Sequence, residues 1–187
     1  MDFEPIVNKV AESDLVVFNL EDFWDGNEVV SFDLAPLLFK GLILKEKDFR
    51  AAIKELDESA FRDKHVAVSC STNAILPTWA FMVVAAKLGP VAASVGYGSP
   101  EEIIRERIAT RLGSHDWSAY RGKNVIVKGC PSDVIPTSAY VDVVSSLQGV
   151  AAKIMYGEAC SSVPIWRRPT AEIKKRKAVR VSLPPTS

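Results

Sequence analysis

Residues 57–98 read DESAFRDKHVAVSCSTNAILPTWAFMVVAAKLGPVAASVGYG, and residues 116–157 read DWSAYRGKNVIVKGCPSDVIPTSAYVDVVSSLQGVAAKIMYG. The second lies over the first without a gap. Asp57, Ser59, Ala60, Arg62, Lys64, Val66 and Val68 meet Asp116, Ser118, Ala119, Arg121, Lys123, Val125 and Val127. Further on, Pro77, Thr78 and Ala80 meet Pro136, Thr137 and Ala139, and both copies close on Tyr-Gly. Identity of about 40% over the whole span marks a duplicated supersecondary unit.

Each copy reads as strand, loop, helix, strand. HVAVS and NVIVK are short runs of strand type. Pro77 and Pro136 suit a first helical turn, where a missing N–H costs nothing. The helices are expected at about Thr78–Leu88 and Thr137–Leu147, with Gly89 and Gly149 near their ends. AASVGYG and AAKIMYG supply the second strands. Between the copies, Ser99 caps a helix, Pro100 takes its first turn and Glu102 closes a capping box. Ile103, Ile104, Ile108 and Leu112 give that helix an apolar stripe. Strands alternating with helices imply α/β architecture: a mostly parallel sheet with right-handed crossovers.

Upstream, DLVVFNLEDFW and EVVSFDLAPLLF flank a DGN turn, which reads as an N-terminal β-hairpin. KEKDFRAAIKEL follows as a helix with Phe49, Ile53 and Leu56 on one face. After Trp166 the apolar periodicity ends. The expected organisation is one α/β domain over residues 1–167 and a basic mobile tail over 168–187, with a short strand near KAVRVSL.

The chain has 187 residues and a formal net charge of zero, which points away from a nucleic-acid or membrane binder. That balance is uneven. From Arg167 onward the bases are Arg167, Arg168, Lys174, Lys175, Arg176, Lys177 and Arg180, against Glu172 alone. The first fourteen residues carry acids and no apolar run, so no signal peptide is read there. ILPTWAFMVVAA is too short to cross a bilayer. Three cysteines form no disulfide framework, and the expected setting is the cytoplasm, with reduced thiols.

Those cysteines are where chemistry is expected. Ligands of parallel sheets bind at the carboxyl ends of strands. Cys70 follows VAVS, Cys130 follows VIVKG, and Cys160 follows IMYGEA. All three are thus expected on one edge. Convergent thiolates suit zinc, with one position left for water, Glu158 or a substrate. They equally suit iron, an iron–sulfur cluster or copper(I). The repeat does not align them, since Cys70 meets Gly129 and Cys130 meets Ser71.

Two other readings stand beside the metal. Cys70 or Cys130, in a loop leading to a helix N-terminus, is a candidate nucleophile of a thiol-dependent enzyme. Alternatively the cysteines are small core residues of a non-catalytic interaction module. Ser71, Thr78 and Thr137 are candidate ligand-binding hydroxyls for a small molecule at the sheet edge, competing with capping roles. His65 and His115 precede their strands, on the wrong edge for a base, and read as solvated or capping residues. No phosphate-cradling glycine motif follows any strand, so no nucleotide is expected. A homo-oligomer is compatible with the sequence but not derivable from it.

LILKEKDFR, CSTNAILPTWAF, KGCPSDVIPTSAYV and MYGEACSSVP together resemble the bacterial proteins grouped as domain of unknown function 2480, over about residues 6 to 168. The resemblance implies cysteines shared at the positions of Cys70, Cys130 and Cys160, and hence a common site. It implies no reaction.

Overall fold

The computed structural model describes residues 15–128, 134–158 and 161–169. In chain order the elements are β1 (Leu15–Asn19), β2 (Val29–Asp33), α1 (Glu46–Lys54), β3 (His65–Ser69), α2 (Thr78–Leu88), β4 (Ser94–Tyr97), α3 (Pro100–Gly113), β5 (Asn124–Lys128), α4 (Thr137–Gln148), β6 (Lys153–Glu158) and β7 (Ser161–Arg167). The fold is α/β, and among the described residues every strand pair but β6–β7 is parallel.

Two sheets form where the repeat suggested one. Their orders are β1-β5-β6-β7 and β2-β3-β4. The chain divides accordingly into two compact units. One takes its residues from Met1–Leu20, His115–Ser132 and Tyr140–Ser187; the other takes Glu21–Ser114 and Asp133–Ala139.

In each unit the first strand of a repeat copy is central, because its Val/Ile run is buried on both faces. Val66, Ala67 and Val68 are buried in β3, and Val125, Ile126 and Val127 in β5. The two N-terminal strands do not pair with each other as a hairpin. β1 adds parallel to β5, setting Val16 beside Val125 and Phe18 beside Val127. β2 adds parallel to β3, setting Val30 beside Val66 and Phe32 beside Val68. Each copy has an open edge on its first strand, and each N-terminal strand carries the same Val-x-Phe pattern to cover it. In DGN the Gly26 φ is +81° and the Asn27 amide donates to Asp25 Oδ1, but the stretch does not close a hairpin.

The second unit builds its core from Leu34, Phe49, Ile53, Val66, Val68, Ala80, Val84 and Leu88, where α1 and α2 pack on one sheet face. Gly96 points to the other face, where a Cβ would meet Ile103 of α3. That helix buries Ile103, Ile108 and Leu112. Its start is the capping box expected. Ser99 Oγ accepts from the Glu102 amide, and Glu102 Oε2 accepts from the Ser99 amide at 2.8 Å.

In the first unit Phe18, Val125, Val127, Val143, Leu147 and Ile154 are buried. Phe18 also meets the rings of His115, Trp117 and Tyr120 at 5.4–5.8 Å. His115 is therefore part of an aromatic cluster and not a solvated cap.

The duplication reaches the turns. Asp57 and Asp116 each accept the amide two residues on, at 2.9 Å. Asp63 (φ 59°) and Gly122 (φ 71°) stand at one left-handed position, donating to the carbonyls of Val91 and Val150. Strand β7 is an addition that the sequence did not lead us to expect. After it, Arg168 Nε donates to the Ala151 carbonyl at 3.0 Å and its amide to the Ala152 carbonyl. Arg168 is thus tied into the unit. The rest of the expected tail, from residue 170 on and including KAVRVSL, lies outside the described residues.

Candidate functional site

At the carboxyl end of the second unit's sheet, β2 and β3 finish side by side at Asp33 and Ser69. Asp33 accepts from the Ala35 amide at 2.9 Å, from the Ser71 amide at 2.9 Å and from the Ser71 hydroxyl at 2.6 Å. The Ser71 hydroxyl, aided by the two amides, holds the Asp33 carboxyl below the ordinary carboxylate range. Ser71 therefore fastens one loop to its neighbour. Cys70 lies between Ser69 and Ser71, half-buried against the core, with its Sγ 3.3 Å from Thr72 Oγ1. Thr78 opens α2 and Thr137 opens α4, both exposed.

In the first unit, β5 and β6 are hydrogen-bonded neighbours, in register through Val127 and Tyr156. Cys130 comes two residues after the end of β5 at Lys128. Cys160 comes two residues after the end of β6 at Glu158. Both cysteines lie outside the described residues. Glu158 is exposed and pairs in register with Ser161, so Ala159 and Cys160 are the whole connection between β6 and β7. Gly157, at φ 116°, prepares that reversal. A Cβ there would stand 2.8 Å from the Ser161 carbonyl oxygen. Among the described residues no group of three His, Cys, Asp or Glu side chains is arranged to hold a metal ion.

A second polar cluster, not anticipated from the sequence, sits at the opposite end of β3. His65 is fully buried, not solvated. Its Nδ1 is 2.7 Å from Ser94 Oγ, and its Nε2 is 3.0 Å from Asp25 Oδ1. The Trp24 ring packs on it at 5.0 Å. A carboxylate only accepts, so Nε2 carries a proton toward Asp25. In the neutral ring, Nδ1 then accepts the Ser94 hydroxyl. Burial pushes the Asp25 carboxyl up, but the His65 bond and the Asn27 amide outweigh it, and the net shift is downward. The cluster pins the DGN turn to β3 and β4. Its signal in sequence was an aspartate in a turn and a histidine opening an apolar strand, residues joined only by the fold.

Two copies of a β-α-β unit, each completed by its own N-terminal strand, define an α/β protein of internally duplicated type. The chain belongs to the family described as protein of unknown function (DUF2480), which matches residues 4–168. No curated protein and no solved structure matches the chain.

Proposed function

We propose that this protein binds a soft metal through cysteine thiolates, with Cys130 and Cys160 as the paired ligands and Glu158 beside them. The observation that supports this reading is strand order. β5 and β6 are adjacent and parallel, so their carboxyl ends lie about 5 Å apart. Two residues of chain reach at most about 7 Å. By this arithmetic, two residues of chain beyond each of two adjacent strand ends are enough for a thiol from either loop to reach a shared ion.

Two thiolates and a carboxylate suit zinc and leave a fourth tetrahedral position for water or substrate. Iron held by the same thiolates is the alternative. Cys70 belongs to the second unit, and the proposal rests on the pair from the first. The reading as a Cys70 thiol enzyme has less support. His65, the histidine of that unit, lies at the far end of β3 and is engaged by Asp25 and Ser94.

Elemental analysis after oxygen-free purification tests the proposal. The expected result is close to one equivalent of zinc or at least one of iron, lost in Cys130→Ser and in Cys160→Ser. Retention in Cys70→Ser would confine the site to the first unit. Less than about a tenth of an equivalent in the wild type, even after reconstitution with zinc and iron, would overturn it.

A further inference from the structure

Between β2 and α1 the chain makes a tight turn whose tip the second unit's core does not use. Leu38 is buried, and Leu37 and Leu44 pack against that core. Phe39, Leu42 and Ile43, interleaved with them, are instead 44%, 69% and 60% exposed. Phe39 and Ile43 form an isolated antiparallel bridge, and the chain reverses between them through two consecutive left-handed residues, Lys40 (φ 53°) and Gly41 (φ 70°). The amides of Phe39, Gly41, Leu42 and Ile43 all donate to carbonyls of the same turn, at 2.8–3.4 Å. The turn therefore satisfies these donors itself while it carries three large apolar side chains outside the core.

Cations flank that tip. Lys45 Nζ lies 3.5 Å from the centre of the Phe39 ring, and Lys40 Nζ 5.5 Å from it. Among the described residues no carboxylate pairs with Lys40, Lys45 or Lys47, whereas Glu46 is engaged by Arg50. Zero net charge over the whole chain conceals this local excess: Lys40, Lys45, Lys47 and Arg50 stand against Glu46 and Asp48. The corresponding stretch after β1 has the opposite character. Leu20 matches Leu34 across the duplication, but Glu21, Asp22 and Asp25 follow Leu20, where Phe39, Lys40, Leu42 and Ile43 follow Leu34. The apolar, basic tip belongs to the second copy alone.

Two properties choose the occupant. Unpaired lysines beside an apolar tip are complementary to a layered surface, anionic outside and hydrocarbon beneath: lysine stems lie along apolar side chains while the ammonium groups stay at headgroup level. Hydrocarbon offers no hydrogen bonds, and a turn that supplies partners for its own amides enters it without leaving them unsatisfied. We propose that the turn at residues 38–45 docks the protein on an anionic phospholipid bilayer, with Phe39, Leu42 and Ile43 entering below the headgroups and Lys40 and Lys45 pairing with lipid phosphates. The docking is to the surface, since among the described residues no helix is long and apolar enough to cross a bilayer. It is independent of the metal.

Flotation of the full chain with lipid vesicles tests the proposal. Wild type is expected to float with vesicles of phosphatidylcholine containing about a third phosphatidylglycerol, and to bind at least about tenfold less to phosphatidylcholine alone. Leu42→Asp/Ile43→Asp and Lys40→Glu/Lys45→Glu should each lower the partition coefficient on the anionic vesicles by about tenfold or more. All four side chains are exposed, so thermal melts should match wild type and separate lost docking from lost folding. Leu42→Trp should bind as wild type does and add a fluorescence that brominated acyl chains quench, placing the tip below the headgroups. Failure of the wild type to float would overturn the proposal. So would binding that survives in both double variants, since the bases between Arg167 and Arg180 would then carry it. Self-association without vesicles, lost in Leu42→Asp/Ile43→Asp and accompanied by no flotation, would give the tip to a second copy instead.

Discussion

His65 joins the DGN turn to β3 and β4 from a fully buried position. Its ring is sealed from water and bonded at both nitrogens. His65→Ala removes both bonds and leaves a cavity under Trp24, so it should lower unfolding free energy by about 2–4 kcal/mol. Urea denaturation reads this as a lower midpoint at unchanged slope. Asp25 adds a pH dependence. Its carboxyl titrates lower in the folded chain than in the unfolded one. The stabilisation it brings is therefore complete above the unfolded value and disappears as pH falls through the folded value. Wild type should exceed Asp25→Asn in stability at pH 6, and the gap should close below about pH 4. A gap of constant size from pH 6 to pH 3 would show that Asp25 acts through packing alone.

The strands, helices and turns divide sharply into those that could be read from sequence and those that could not. The repeat helices were legible because Pro77 and Pro136 mark their starts and one apolar stripe runs through each copy. The α3 cap was legible because Ser99 and Glu102 carry a local motif that no tertiary contact overrides. The N-terminal hairpin failed because DGN is a strong turn signal, whereas the partner of each flanking strand lies far off in the chain. A cue existed: Val16, Phe18 and Leu20 recur as Val30, Phe32 and Leu34, so the duplication includes these strands. β7 was hidden by Pro164. That residue is tolerated because β7 is an edge strand with a register irregularity opposite Ile154 and Met155. The hairpin it forms gives a test. Gly157→Ala adds a Cβ against the Ser161 carbonyl in a left-handed backbone. It should cost about 1–3 kcal/mol. Gly113→Ala, at the end of α3 with open space around it, should be neutral or stabilise by up to about 1 kcal/mol. Thermal melts of the two variants side by side check the contrast. Equal effects would mean that the β6–β7 turn tolerates a side chain.

Taken together, the protein is one β-α-β design written twice and finished differently. The second unit follows β4 with a helix, and among the described residues no strand pairs with its outer edge; the first turns back on itself through a connection that contains Cys160. Of the expected site residues, Ser71 and Cys70 sit where the strand-end rule put them, and Thr78 and Thr137 are exposed at helix starts. Grouping of the cysteines was not legible, because sequence spacing carries no strand order and the repeat does not superpose the thiols. Strand order adds the adjacency of β5 and β6, and the functional proposal stands on it. X-ray absorption at the metal edge of the purified protein measures the consequence. Sulfur neighbours at about 2.3 Å are predicted, falling by one in Cys130→Ser and by one in Cys160→Ser. A bound metal with only nitrogen and oxygen neighbours, or a sulfur shell unchanged in both variants, would contradict the proposed site.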